Sequence, residues 1–179
     1  MSDGFDQARA QRSWLERLGD KIPGYRGFQD RELRRDVDKQ QREYLAAELG
    51  RVKGALKDKA RQLSEKGALD ALAVAERADR KLDGLAQAIR FADYGATGLF
   101  DVDKIRDPGL EKLYEFDLEF VDEVARLKDD VTAIPVADAA AAATALEELA
   151  SHLGAVQERW ATRATLLRTV VTIARQHTP

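Results

Sequence analysis

At 179 residues the chain is long enough to bury a sizeable core as one domain, and with 34% charged and 44% hydrophobic residues it is neither a disordered tail nor a membrane-embedded protein. A net charge of -3, from 29 Lys and Arg against 32 Asp and Glu, gives no general attraction to nucleic acid or to an anionic bilayer. The absence of Cys excludes disulfides, thiolate catalysis, iron–sulfur clusters and Cys-type zinc sites.

Periodicity and punctuation predict five helical segments. The first covers about residues 4 to 19. It places Phe5, Ala8, Leu15 and Leu18 on one face, with Trp14 beside it and Arg9, Arg12 and Arg17 opposite. Gly19 and the run Ile22-Pro23-Gly24 end it. Residues 1–22 are therefore expected to form an amphipathic N-terminal helix and turn, and 23–179 a helical bundle domain. The second segment, about 29 to 66, carries the stripe Leu33, Val37, Tyr44, Leu45, Val52, Leu56 and Leu63. Asp30–Arg34 and Asp38–Arg42 have the i,i+4 spacing that supports an exposed helix surface. Gly67 is the expected stop.

The third segment, about 69 to 92, aligns Leu72, Ala75, Leu82, Leu85 and Ile89, interrupted by Asp79. Residues 93–107, rich in Gly and Asp, read as an ordered loop. In the fourth segment, about 109 to 134, Pro108 suits the first helical position and Asp107 the cap. Leu110, Leu113, Asp117, Phe120, Val124, Leu127, Val131 and Ile134 follow alternating steps of three and four, the seam of coiled-coil-like packing. Pro135 breaks this helix and Asp138 caps the last one, which runs to about Arg175. There Leu146, Leu149, Leu153, Val156 and Trp160 keep the spacing, and Leu167, Val170 and Ala174 resume it after Arg163. No alternating strand pattern of useful length occurs. The expected fold is all-α: an elongated, coiled-coil-like, up-down antiparallel four-helix bundle with a short additional N-terminal helix.

Chemistry-bearing patterns are sparse. Neither His152 nor His177 has a His or carboxylate three or four residues after it; Glu148 lies four residues before His152, but no second such pair occurs and the repeated Glu-x-x-His of di-iron bundles is missing, so no metal or other cofactor is expected. The Gly95–Gly98 stretch follows no strand and precedes no Lys-Ser/Thr, so it is not a phosphate loop. The Ser and Thr residues give no support for a nucleophilic triad. Asp117 is the most informative residue, because it occupies a seam position where Leu is expected. A buried carboxylate must be paired, hydrogen-bonded or protonated. A structural ion pair or a register-fixing polar residue is the main reading. A seam-edge position open to water and a functional carboxylate are the alternatives.

Antiparallel helices would bring the early second segment to the 93–107 loop and the start of the fourth. Arg34, Arg35, Lys39 and Arg42 could there meet Asp93, Asp101, Asp103 or Asp117 in a salt-linked end cap. Tyr25 and Phe28 lie in the turn before the second segment. They are expected to anchor the first helix on that bundle end, with Tyr94 and Phe100 in the facing loop. The basic residues of 31–42 are interleaved with Glu32, Asp36 and Asp38, which argues against a nucleic-acid surface.

The turn IPGYRGF, the helix RRDVDK, the loop DYGATGLFD and the segment LYEFD resemble a group of uncharacterised bacterial all-helical proteins, over roughly residues 20 to 125. The group has no established activity, so the resemblance implies a helical fold and no catalytic residue. It further implies an association with band-7 (flotillin-like) membrane-scaffold proteins.

No apolar run reaches the ~20 residues of a membrane span, and the first residues lack the basic region and apolar core of a signal peptide. A cytoplasmic protein is expected. The leading expectation for function is a non-enzymatic interaction or scaffold module that docks a protein partner or self-associates. One alternative is a peripheral membrane adaptor using residues 5–18, working with a band-7-like protein. Another is a small-ligand binder or enzyme using the 93–107 loop.

Overall fold

The structure is a computed structural model that describes residues 17, 19–22, 31–92 and 108–176, with side chains described at 17, 19–22, 38–92 and 112–169. Its helices are α1 (Arg31–Glu65), α2 (Leu69–Arg90), α3 (Pro108–Ala133) and α4 (Ala139–Gln176). Residues 19–21 add a helical turn ahead of the buried Ile22. No strand occurs among the described residues, so the all-α expectation holds.

The helix ends follow from local chemistry. Gly67 takes φ of 70°, a left-handed conformation that Gly adopts without the Cβ penalty. The Ala68 N–H donates to the Leu63 carbonyl and the Gly67 N–H to the Ser64 carbonyl, the paired bonds of a Schellman stop. Buried Ala68 and Leu63 supply the apolar contact that accompanies this motif. α3 starts at Pro108, whose missing N–H costs nothing in a first turn. Asp138 Oδ1 accepts from the N–H groups of Ala140 (3.0 Å) and Ala141 (3.1 Å) and so caps α4. The end of α3 is satisfied by Lys59, whose Nζ donates to the carbonyls of Thr132 (2.8 Å) and Ile134 (2.9 Å).

The chain divides into two compact units. One comprises residues 45–92 and 122–160, hence the later part of α1, all of α2, the later part of α3 and the earlier part of α4. Its core is a set of seams with steps of three and four. Leu45, Leu49, Val52, Leu56 and Leu63 come from α1, and Val124, Leu127 and Val131 from α3, with Ile134 just beyond. Leu146, Leu149, Leu153, Val156 and Trp160 come from α4. Each fully buried Leu, Ile or Val contributes about 1.5–3 kcal/mol.

In α2 the buried line is Ala71, Ala75, Ala78, Leu82, Leu85 and Ile89, whereas Leu72 is only half-buried. This corrects the expected stripe: counting back from Ile89 in regular steps lands on Ala78 and Ala71, not on Leu72. Asp79 therefore does not interrupt the core. It stands beside it and pairs with Lys53 at 3.4 Å, next to Asp83 at 2.5 Å.

α2 and α4 are direct neighbours that run the same way. The Lys81 ammonium donates to the Ala150 carbonyl, Trp160 Nε1 donates to the Ala88 carbonyl, and Arg77 pairs with Glu147. Both chains advance together along these contacts. α3 and α4 run oppositely, since Asp130 meets His152 and the earlier Glu123 meets the later Arg159.

The other unit comprises residues 1–44, 93–121 and 161–179. Among its described residues Leu113, Tyr114, Leu118, Phe120 and Val121 of α3 are buried. Phe116 stacks on Phe120, one turn along, with ring centroids 5.9 Å apart. Buried Gln41, Arg42, Asp117 and Arg163 share this interior, and with Asp38 they form the site described next.

Candidate functional site

The seam arithmetic that buries leucines elsewhere buries charges here. On α3, position 117 falls between Leu113 and Phe120. On α4, three residues beyond Trp160 is Arg163. On α1, three residues before Leu45 is Arg42, and four before that is Asp38. Three helices thus deliver two acids and two arginines to one interior.

Arg163 forms a two-pronged bond to Asp117: Nε donates to Oδ1 at 2.7 Å and Nη2 to Oδ2 at 3.0 Å. The same Nη2 donates to Asp38 Oδ1 at 3.0 Å, and Arg42 Nε donates to Asp38 Oδ2 at 2.9 Å. The planar guanidinium fork suits such paired recognition, which a lysine could not reproduce. Asp117 is 2% exposed, Arg163 5% and Arg42 6%. Two positive and two negative charges cancel, as a buried cluster requires.

Burial is the largest influence on Asp117 and pushes its carboxyl above the usual range. The Arg163 charge and hydrogen bonds pull it back down, the Asp38 charge raises it, and Gln41 lowers it. For Arg163, burial opposes the charge, but the carboxylates of Asp117 and Asp38 outweigh it and hold the guanidinium protonated above its ordinary value. Gln41 is 3% exposed. Its amide lies near enough to Asp117 to favour the carboxylate, yet its Nε2 falls short of a well-aligned hydrogen bond.

The cluster realises the expected ion pair at Asp117 with a different partner. Arg163 holds Asp117, and Arg42 joins only through Asp38. Asp38–Arg42 is a largely buried pair, contrary to the expected exposed surface pair, because both residues fall on the seam of α1. Lys39 points outward and pairs with Glu43 at 3.8 Å. Arg34 and Arg35 belong to α1, with their side chains outside the described residues. Tyr25, Phe28, Asp93, Tyr94, Phe100, Asp101 and Asp103 lie outside the described residues, as do Phe5, Trp14, Leu15 and Leu18 of the expected membrane-facing helix. Sequence reasoning missed Arg163. The signal was present, since Arg163 stands where the α4 seam calls for a core residue.

His152 has a partner that its own helix could not reveal. Its Nδ1 lies 2.6 Å from Asp130 Oδ2 on α3, with both side chains about a third exposed. An acid in that position orients an imidazole, but a nucleophile or third ligand is needed for catalysis or metal binding. Among the described residues no group of three or more His, Asp or Glu could hold a metal ion. A groove of about 220 Å³ lies between α1 and α2, floored by Ala46, Leu49, Gly50, Leu82 and Ala86, with Lys53, Asp83 and Arg90 around it. Among the described residues no helix is long and apolar enough to cross a membrane.

In chemical terms the ionic cluster is closed. Both Asp117 oxygens are engaged and screened from solvent, so the carboxylate cannot reach a substrate while Arg163 is in place. Compared with known proteins, the chain matches no family model, no curated protein and no solved structure.

Proposed function

We propose that this chain is a non-enzymatic helical interaction module that docks a protein partner, or a second copy of itself, on an open face of α1. The observation that carries this reading is the pair Gly50 and Gly54. Each lies inside α1, where glycine costs about 0.5–1 kcal/mol relative to alanine. A Cβ added at either would meet nothing within 4 Å. Packing within the chain therefore does not call for glycine there, whereas close approach by another backbone would. The groove beside Gly50 carries charges of both signs that can orient an incoming helix.

The buried seam residues from Leu45 to Leu63, Leu113 to Ile134 and Leu146 to Trp160 are not available for this role, because they are consumed in the chain's own core. The closed state of Asp117 supports a non-enzymatic reading. In the same reading the unit of residues 45–92 and 122–160 is an up-down bundle in which α2 neighbours both α1 and α4, an order supported by the Lys53–Asp83 and Arg77–Glu147 pairs.

The test compares the full chain with Gly50→Leu/Gly54→Leu by sedimentation equilibrium and by capture from a lysate of the source organism. The expected result is a dimer, or one stoichiometric bound protein, that the wild type forms or retains and the variant, no less stable as a monomer, loses. A wild type that stays monomeric, and whose captured proteins bind the variant equally, would overturn the reading.

A further inference from the structure

Among the described residues two large apolar side chains stand in solvent, Leu69 and Phe91, each 74% exposed. Leu69 is the first residue of α2 and Phe91 follows its last, so they lie ~33 Å apart along the axis at about 1.5 Å per residue. Helical spacing nevertheless puts them on one line. From Leu69, steps of four and three lead through Ala73, Glu76, Arg80, Gly84 and Gln87 to Phe91, and every residue on that line is exposed. The line runs between the flank of α2 that meets α1, through Asp79 and Asp83, and the flank that meets α4, through Arg77, Lys81 and Ala88.

The chemistry along this line is self-complementary. Leu69 and Phe91 are equally far from Arg80, as are Ala73 and Gln87, and Glu76 and Gly84. A second α2 laid antiparallel, with a twofold axis at Arg80, sets Leu69 of each copy against Phe91 of the other, at both ends of the contact. A twofold contact uses the same patch on both copies, so each apolar anchor is covered twice by one arrangement. At the axis the two arginines face one another, but each has Glu76 of its own helix one turn away at 3.9 Å, and the opposite helix brings its own glutamate to the same level. Two acids and two bases therefore alternate there. Glu76 itself faces Gly84, which leaves room for the close approach of the two helices. A parallel pair would instead oppose Glu76 to Glu76 as well as Arg80 to Arg80, adding a second like-charge contact.

We propose that this face of α2 is a self-association surface, and that its occupant is α2 of a second copy of the chain, docked antiparallel about Arg80. The surface is separate from the α1 face and stands whether or not that face binds a partner.

Sedimentation equilibrium of the full chain, from micromolar to near-millimolar concentration, reads the association. The wild type is expected to dimerise. Phe91→Glu should weaken the dimer about a hundredfold or more, since both ends of the contact lose an anchor. Glu76→Arg should weaken it about tenfold, and Glu76→Arg/Arg80→Glu should restore it. These side chains are exposed, so the variants should keep the helical content of the wild type. The direction of docking is read by disulfide capture, because the chain has no Cys of its own. Oxidising a mixture of Leu69→Cys and Phe91→Cys should join position 69 of one copy to position 91 of the other, with the second Leu69–Phe91 contact intact. A wild type that stays monomeric throughout, or a dimer that Phe91→Glu leaves unchanged, would overturn the proposal. So would disulfides that join 69 to 69 and 91 to 91 in preference. A dimer lost only in Gly50→Leu/Gly54→Leu would also overturn it, while leaving the α1 reading in place.

Discussion

Arg163 contributes through what it prevents. Two carboxylates, Asp117 and Asp38, converge on its guanidinium, and burial makes an uncompensated charge there costly. Arg163→Ala is expected to destabilise the fold by about 3–5 kcal/mol near neutral pH, the usual cost of orphaning one member of a buried pair. The sign of its pH dependence follows from Asp117. Burial already raises that carboxyl above 3.8, and removing Arg163 removes the strongest opposing influence. A carboxyl raised in the folded state favours folding below its unfolded pKa and loses that contribution as pH rises through the folded value. The deficit of Arg163→Ala should therefore shrink on acidification from pH 7 towards pH 4. Urea unfolding of both proteins at the two pH values measures this. A deficit that stays constant or grows in acid would show that Asp117 is not the group exposed by the substitution.

At the scale of elements, three glycines of the α1 region separate two roles. Gly67 has positive φ and closes the helix, so Gly67→Ala places a Cβ in the left-handed region and should cost about 1 kcal/mol or more in thermal or urea unfolding. Gly50 and Gly54 are ordinary helical positions with open space around them. Alanine at either should stabilise the monomer by about 0.5–1 kcal/mol. A destabilising effect at Gly50 or Gly54 would mean that the neighbouring residues already use that space. The Ala-rich line of α2 serves a related purpose from the buried side, since small residues at 71, 75 and 78 let neighbouring helices approach.

For the whole molecule, the distribution of charge predicts a weak response to salt. Many of the ion pairs lie at the surface, such as Arg77–Glu147 and Arg61–Asp58, with side chains half or more exposed. Such pairs are each worth about 0–1 kcal/mol and are screened by salt. The cluster that matters most is enclosed, where added ions do not reach. Raising sodium chloride from about 0.05 M to 1 M should therefore shift Tm by only about a few degrees in scanning calorimetry. A large drop would place the stabilising electrostatics at the surface instead.

The sequence by itself determined where the helices begin and end and which of their residues face inward. Gly67 and Pro108 act through their own backbone chemistry, and Asp138 through its side-chain cap. The steps of three and four through α3 select one buried face regardless of what covers it, and every described member of that line from Leu113 to Ile134 is buried. Leu72 shows the limit of reading by residue type, because the regular step, not the larger side chain, chose Ala71 and Ala78. Only the tertiary structure decided which faces meet. That Asp117 finds Arg163 and not Lys39, that α2 lies along α4, and that His152 reaches Asp130 all depend on how helices with similar apolar stripes sort against one another. Periodicity fixes the angle of a residue about its own helix axis, whereas partner choice depends on packing among segments distant in the chain.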